Sequence, residues 1–107
     1  MEHLRIRSDF LRAARGIRRV APGLTLEICA NPESEAVRVG FTATRKIGNA
    51  VVRNRMKRRL RALARTALPS QGVAGSDHVL IGRTGGVERD YAALGTELAA
   101  ALAKARR

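Results

Sequence analysis

The run from Arg45 to Arg65 constrains this chain most: R-K-I-G-N-A-V-V-R-N-R-M-K-R-R-L-R-A-L-A-R, with nine basic residues and no acid. Within it Val52, Met56, Leu60, Leu63 and Ala67 recur at spacings of four, four, three and four, which aligns them along one face of an α-helix. Asn54, Lys57, Arg58, Arg61 and Arg65 then fall on the opposite face, with Arg53 and Arg59 on its borders. One side of this helix has to be buried, so the rest of the chain must supply an apolar surface for it. The other side gathers positive charge on rigid backbone.

A charged face can serve solubility alone, but solubility is better met by mixed signs and Glu–Lys pairs four apart. Seven like charges between positions 53 and 65 repel one another. That cost points to a polyanionic partner, with nucleic acid first and an anionic membrane surface second. The whole chain agrees: 107 residues carry a net charge of +12 and a pI of about 11.7, inside the range of nucleic-acid-binding domains. Arginine outnumbers lysine 18 to 3, and its planar fork grips phosphate oxygens bidentately. Asn54, between Arg53 and Arg55, can donate and accept at a base edge or a ribose hydroxyl.

The chain length suits one domain, residues 1–107, with one modest core. Phe10, Phe41 and Tyr91 are the only aromatics, so the core is built from Leu, Ile, Val and Ala, and base stacking has few platforms. Cys29 is the single cysteine; it excludes an intramolecular disulfide and a cysteine-based zinc site and is read as a packing residue. Residues 1–20 lack a signal-peptide pattern, and no apolar run reaches the ~20 residues of a membrane span. A cytoplasmic protein with no membrane association is expected.

Residues 1–7 are polar and read as loosely held. Ser8 is the expected N-cap of a helix over 9–15, with Asp9 favoured by the helix dipole and Gly16 as its stop. Pro22-Gly23 is a turn. Residues 24–29 alternate with Leu24, Leu26 and Ile28 inward, as a half-buried strand does. Asn31-Pro32-Glu33-Ser34 reads as a hairpin connection. In 37–44, Val37, Val39, Phe41 and Ala43 form the core face, while Arg38, Gly40, Thr42 and Thr44 form a small, polar face able to floor a shallow groove. Asn49 caps the long basic helix, and Pro69 is expected to end it at Ala67 or Leu68. Residues 78–83 read as a buried strand, with His78 a structural or surface residue. A last helix begins at the Asp90 cap and buries Tyr91, Leu94, Leu98, Ala101, Leu102 and Ala105. The order is α-β-β-α-β-α, with an extra short strand near 18–22: an α+β sandwich of a small sheet and packed helices.

Catalytic patterns are missing. The acids are scattered, with no D-x-D and no paired Glu at helical spacing to hold two metals. Neither a nucleophile elbow, nor H-E-x-x-H, nor a Walker glycine loop occurs. If the chain serves an enzyme, the chemistry resides elsewhere. By residue chemistry alone, structured RNA and a DNA major groove remain equal targets.

The run T-R-K-I-G-N-A-V-V-R-N-R-M-K-R-R-L-R closely resembles the signature of the bacterial ribonuclease P protein subunit. Ser8-Asp9-Phe10, Arg38-Val39-Gly40, Asp77-His78-Val79-Leu80-Ile81 and Tyr91 through Leu102 extend the likeness over most of the chain. The resemblance implies an αβββαβα fold, shared with a ribosomal-protein domain, with a left-handed βαβ crossover through the basic helix. It implies that a catalytic RNA subunit, assisted by Mg²⁺ bound mainly by RNA, removes the 5′ leader of precursor tRNA, with no obligate protein partner. It further implies RNA-subunit contacts at Arg53, Asn54, Arg55, Lys57, Arg58, Arg59, Arg61 and Arg65, and leader contacts at Phe10, Thr42, Thr44, Arg45 and Lys46. Ala14 and Glu27 stand where relatives often carry aromatics, so weaker base preference in the leader is expected. The alternatives are a purely structural RNA-binding protein of ribosomal type and a DNA binder using the same helix.

Overall fold

A computed structural model describes residues 1–106. In chain order the elements are β1 (Glu2–His3), α1 (Arg7–Ala14), β2 (Ile17–Val20), β3 (Leu24–Ala30), β4 (Val37–Ala43), α2 (Ala50–Gln71), β5 (Ser76–Gly82) and α3 (Tyr91–Ala105). Two 3₁₀ turns, Arg45–Ile47 and Thr84–Gly86, precede α2 and α3. The mixed α+β architecture is the one expected, with β2 as the extra short strand. The notional loose start differs: β1 adds a parallel pair to β4, the Leu4 amide donates to the Val39 carbonyl at 2.8 Å, and Leu4 is buried.

The strands lie in the order β1-β4-β5-β3-β2. This overturns the hairpin read at Asn31–Ser34. β3 and β4 follow each other in sequence, yet β5 runs between them, antiparallel to β3 and parallel to β4. A strand with apolar residues on both faces gains most from the central slot, and Ser76 through Leu80 are all buried. The actual hairpin joins β2 to β3 through Ala21-Pro22-Gly23. α2 is then the crossover linking the parallel strands β4 and β5.

The two sheet faces are covered unequally. On one, Leu24, Leu26, Val39 and Leu80 pack against Met56, Leu60, Leu63, Ala64 and Leu68 of α2 and Leu94, Leu98, Ala101 and Leu102 of α3. Each large side chain so buried contributes about 1.5–3 kcal/mol. On the other face α1 covers a small cluster of Leu4, Ala13 and Val79, flanked by Phe10, Cys29 and Ile81. Because both faces are covered, β3 is not half-buried: Thr25 and Glu27 are as enclosed as Leu24 and Leu26.

Several element ends differ from the local reading. α1 starts one residue before Ser8, with Ile6 at the N-cap position and no side-chain cap. Asp9, rather than decorating the dipole, is buried and ion-paired. Pro69 lies inside the last turn of α2. It leaves only the Arg65 carbonyl without its helical donor, and Arg65 is exposed to water. The turn is held by buried Leu68, by the Gly72 amide on the Leu68 carbonyl at 2.9 Å, and by Arg106 Nη1 donating to the Gln71 carbonyl at 2.6 Å. Tyr91 continues the apolar stripe of α3 past the end of the core and is 45% exposed.

His78 is fully buried on β5. Its Nε2 accepts from the Val73 amide at 3.1 Å, which makes Nδ1 the donor to the Arg38 carbonyl at 3.0 Å. Burial lowers its pKa below the ordinary imidazole value, opposed in part by the Arg38 carbonyl and the Asp77 charge. The unfolded chain therefore takes up the proton first, so this contribution to stability is complete above about pH 6.5 and is lost as pH falls through that value. Urea unfolding is expected to show stability declining between about pH 6.5 and 5.5 with a slope of up to about 1.4 kcal/mol per pH unit. His78→Gln is expected to flatten that slope; an unchanged slope would place the titration elsewhere.

Candidate nucleic-acid interface

α2 begins where local chemistry demands. Gly48 has φ +144°, and a Cβ there would stand 2.9 Å from the Val52 side chain, so glycine suits this turn. Asn49 Oδ1 then accepts from the Val52 amide at 3.1 Å, satisfying one of the free first-turn donors. The buried face, Met56, Leu60, Leu63, Ala64 and Leu68, fixes the rotation of the helix and hence the direction of every cation on it.

Four of the acids, Asp9, Glu27, Asp77 and Glu97, form ion pairs, and their partners are Arg12, Arg18, Arg38 and Arg89. Among the described residues, no ion pair involves any of the seven basic residues between positions 53 and 65.

Tertiary packing sorts these cations, together with Asn54, into three groups. Asn54, Arg55 and Arg58 are exposed and point away from the core. Lys57, Arg61 and Arg65, at successive turns, line a groove of about 420 Å³ with Met1, His3, Leu4, Arg5, Phe10, Val39 and Phe41. The Arg61 guanidinium lies 5.9 Å from the centre of the Phe41 ring, within cation–π range, and the His3 ring is 6.2 Å from the same ring. The third group faces inward. Arg59 Nη1 donates to the carbonyls of Val87 at 2.8 Å and Gly86 at 3.3 Å, and Nη2 to that of Arg89; it clamps the loop between β5 and α3. Arg53 is half-buried, with its Nε enclosed and without a hydrogen-bond partner.

The residues expected to meet an extended strand are likewise divided. Phe10 lines the 420 Å³ groove and also an adjoining hollow of about 300 Å³ with Arg7, Glu27, Phe41, Thr42 and Val79. Thr44 and Lys46 belong to a separate hollow of about 350 Å³ with Arg18, Thr25, Ile81, Arg83 and Thr84. Arg45 is exposed in the 3₁₀ turn and lines none of these. Arg5, Arg7, Arg18, Arg83 and Phe41 are the additions that sequence reasoning missed. Phe41 was readable only as core, because its alternation matches Val39; its half-exposure arises because β1 pairs with just Arg38 and Val39, leaving the edge of β4 open beyond them.

Glu27 lies on β3 and lines the hollow that Phe10 also lines. It is 5% exposed and sits directly across from Arg18, whose Nη1 donates to Glu27 Oε2 at 2.8 Å. Among the described residues no group of three His, Cys, Asp or Glu side chains is placed to hold a metal ion. No helix is long and apolar enough to cross a membrane.

The sorting separates two neighbouring arginines by role. Arg59→Ala is expected to lower stability by about 2 kcal/mol, since charge-assisted bonds to three carbonyls are lost, whereas Arg58→Ala should change it by less than about 0.5 kcal/mol. Thermal or urea unfolding of the two variants checks this, and equal effects would contradict the clamp.

Comparison with known proteins bears on what this surface serves. A family profile, ribonuclease P, matches residues 1–106. The ribonuclease P protein component of Erythrobacter litoralis is 54% identical over 103 residues, covering 96% of this chain and 84% of that protein. That of Gluconacetobacter diazotrophicus is 46% identical over 103 residues, covering 95% and 89%. The RNase P protein from Thermotoga maritima shares the fold with a TM-score of 0.80 at 27% identity, over 97% of each chain. The Staphylococcus aureus RNase P protein aligns with a TM-score of 0.83 over 99% of this chain and 96% of that one; at 24% identity it speaks to the fold alone. The shared α+β fold, the basic helix and these relatives lead to one assignment: the chain belongs to the ribonuclease P protein family, the protein component of a tRNA-processing endoribonuclease.

Proposed function

We propose that residues 1–107 act as one RNA-binding domain that assembles with a catalytic RNA and presents the 5′ leader of precursor tRNA to it. The observation that carries this reading is the unneutralised face of α2. Among the described residues no carboxylate pairs with any of its seven cations; those left facing solvent or the groove call for phosphates, and a folded RNA supplies them at the required density. In the hydrolysis itself, water would attack the phosphorus at the leader boundary and the 3′ oxygen of the leader would depart; Mg²⁺, bound mainly by RNA, would supply the Lewis acid.

The parts of this chain then divide the binding. Asn54, Arg55 and Arg58 face the RNA subunit, with Arg53 at their edge. Arg59 serves that face indirectly, by holding the loop beside it. The leader enters the groove where Phe10 and Phe41 offer ring faces and Lys57, Arg61 and Arg65 offer phosphate contacts at one-turn intervals. Thr42 continues that floor, and Thr44 and Lys46, with Arg18 and Arg83, extend the positive surface beyond it. Arg45 adds long-range attraction from the flank. With Ala14 and Glu27 in place of aromatics, backbone electrostatics dominate over base stacking.

Reconstitution tests the reading. Adding the protein to the catalytic RNA and precursor tRNA at low Mg²⁺ is expected to restore cleavage at the mature 5′ end. Binding without rescue would favour a purely structural, ribosomal-type role. Arg55→Ala combined with Arg58→Ala is expected to weaken RNA-subunit binding and to make its logarithmic salt dependence less steep by about one to two units, with an unchanged melting profile. Because Arg53 is partly enclosed, this pair is a cleaner probe than one including Arg53. A leader-sequence titration showing strong preference for one base at a fixed position would contradict the electrostatic account of leader binding.

A further inference from the structure

We infer that Arg38 and Asp77 are positioning residues for the leader groove: they act through α1 to hold Phe10 against β4. The inference rests on the leader-groove reading above.

α1 has little else to hold it. It is eight residues long, shorter than the roughly 12–15 residues at which isolated helices become even marginal. Leu11 is 52% exposed, so Ala13 and Phe10 provide its apolar contacts. Ionic contacts supply the remainder. Arg38 and Asp77 face each other across the β4–β5 register and both reach toward α1. Arg38 Nη2 donates to Asp9 Oδ2 at 3.0 Å, and Arg12 Nη2 donates to Asp77 Oδ2 at 2.6 Å. Arg12 Nη2 also meets Asp9 Oδ1 at 3.3 Å, and Arg38 Nη1 lies 3.6 Å from Asp77 Oδ1. Asn31 Nδ2 supports Asp77 Oδ1 from the other side at 3.4 Å. The Asp77 side chain is fully enclosed and those of Asp9 and Arg38 are 12% and 19% exposed, so these charges are poorly screened by water.

The geometry converts this tether into groove shape. Asp9 precedes Phe10, and Gly40 lies two residues after Arg38 on the same face of β4. A Cβ at Gly40 would stand 2.6 Å from Phe10 Cζ, so the bare backbone at 40 is the seat of the ring. β4 therefore fixes α1 by charge at Arg38 and receives its aromatic at Gly40. The opposite wall, with Lys57, Arg61 and Arg65, stands on α2, anchored by the separate large core. Loosening the ionic network moves one wall of the groove while leaving the other in place.

The test uses the holoenzyme assembled with full-length protein carrying Arg38→Met, Arg38→Lys, Phe10→Ala or Phe10→Ala with Arg38→Met. Arg38→Met is expected to raise KM about tenfold for precursor with a long leader, with kcat within about twofold. KM for a leader trimmed to one nucleotide and the RNA-subunit affinity should stay at the parent values. Amides of residues 10–14 should exchange faster while those of α2 remain protected, and Arg38→Lys should recover most of the loss. The double variant should be no worse than Phe10→Ala alone, because both act through one ring. Parent leader dependence in Arg38→Met, additive losses in the double variant, or exchange that rises equally in α1 and α2 would each overturn the inference. Parent behaviour in Phe10→Ala would instead remove the leader-groove reading itself, and with it this role for the network.

Discussion

The contest between like-charge repulsion and apolar anchoring on α2 shapes the rest of the molecule. Like charges one turn apart, as in Lys57–Arg61–Arg65, cost about 0.2–0.5 kcal/mol per pair. Burying Met56, Leu60, Leu63 and Leu68 contributes about 1.5–3 kcal/mol for each side chain, so burial wins. It wins only while a continuous apolar surface is available, and β3, β5 and β4 with α3 provide it. The helix is thereby held with Arg55 and Arg58 outward and Lys57, Arg61 and Arg65 along the groove.

The acids complete this arrangement by where they are not. Asp9, Asp77, Glu27 and Glu97 neutralise arginines on α1, β2, β4 and the α3 loop, and none of the four pairs with a cation of α2. An ion pair there would compete with phosphate. The two faces of the sheet consequently rely on different forces. α2 and α3 are fixed by a large apolar cluster, and α1 by a small one plus buried charge. A ligand groove between them has one firm wall and one wall whose position depends on a few directional contacts.

Much of the site was legible because its determinants are local. The Asn49 cap, the apolar stripe of α2 and the exposure of Asn54, Arg55 and Arg58 follow from spacing within one helix. The same spacing put Lys57, Arg61 and Arg65 on the polar face of the helix, but it could not show that the fold sets them in one groove with Phe10 and Phe41. It treated Arg59 as a border cation, yet three carbonyls 27 to 30 positions away take its donors. Asp9 looked like a first-turn acid until β4 and β5 brought Arg38 and Asp77 beneath it. Asn31–Ser34 looked like a hairpin because nothing local announces that β5 will come between β3 and β4.

The sequence by itself therefore determined the helices, their apolar faces and the concentration of positive charge. Those properties depend on residues three or four apart, whose geometry the helix repeat dictates. Tertiary structure alone decided the strand order, which arginines remain free, and which aromatic rings they share a groove with. Those outcomes depend on residues far apart in the chain, such as Arg12 and Asp77 or Arg61 and Phe41. Only the closing of the sheet around β5 brings such pairs within reach.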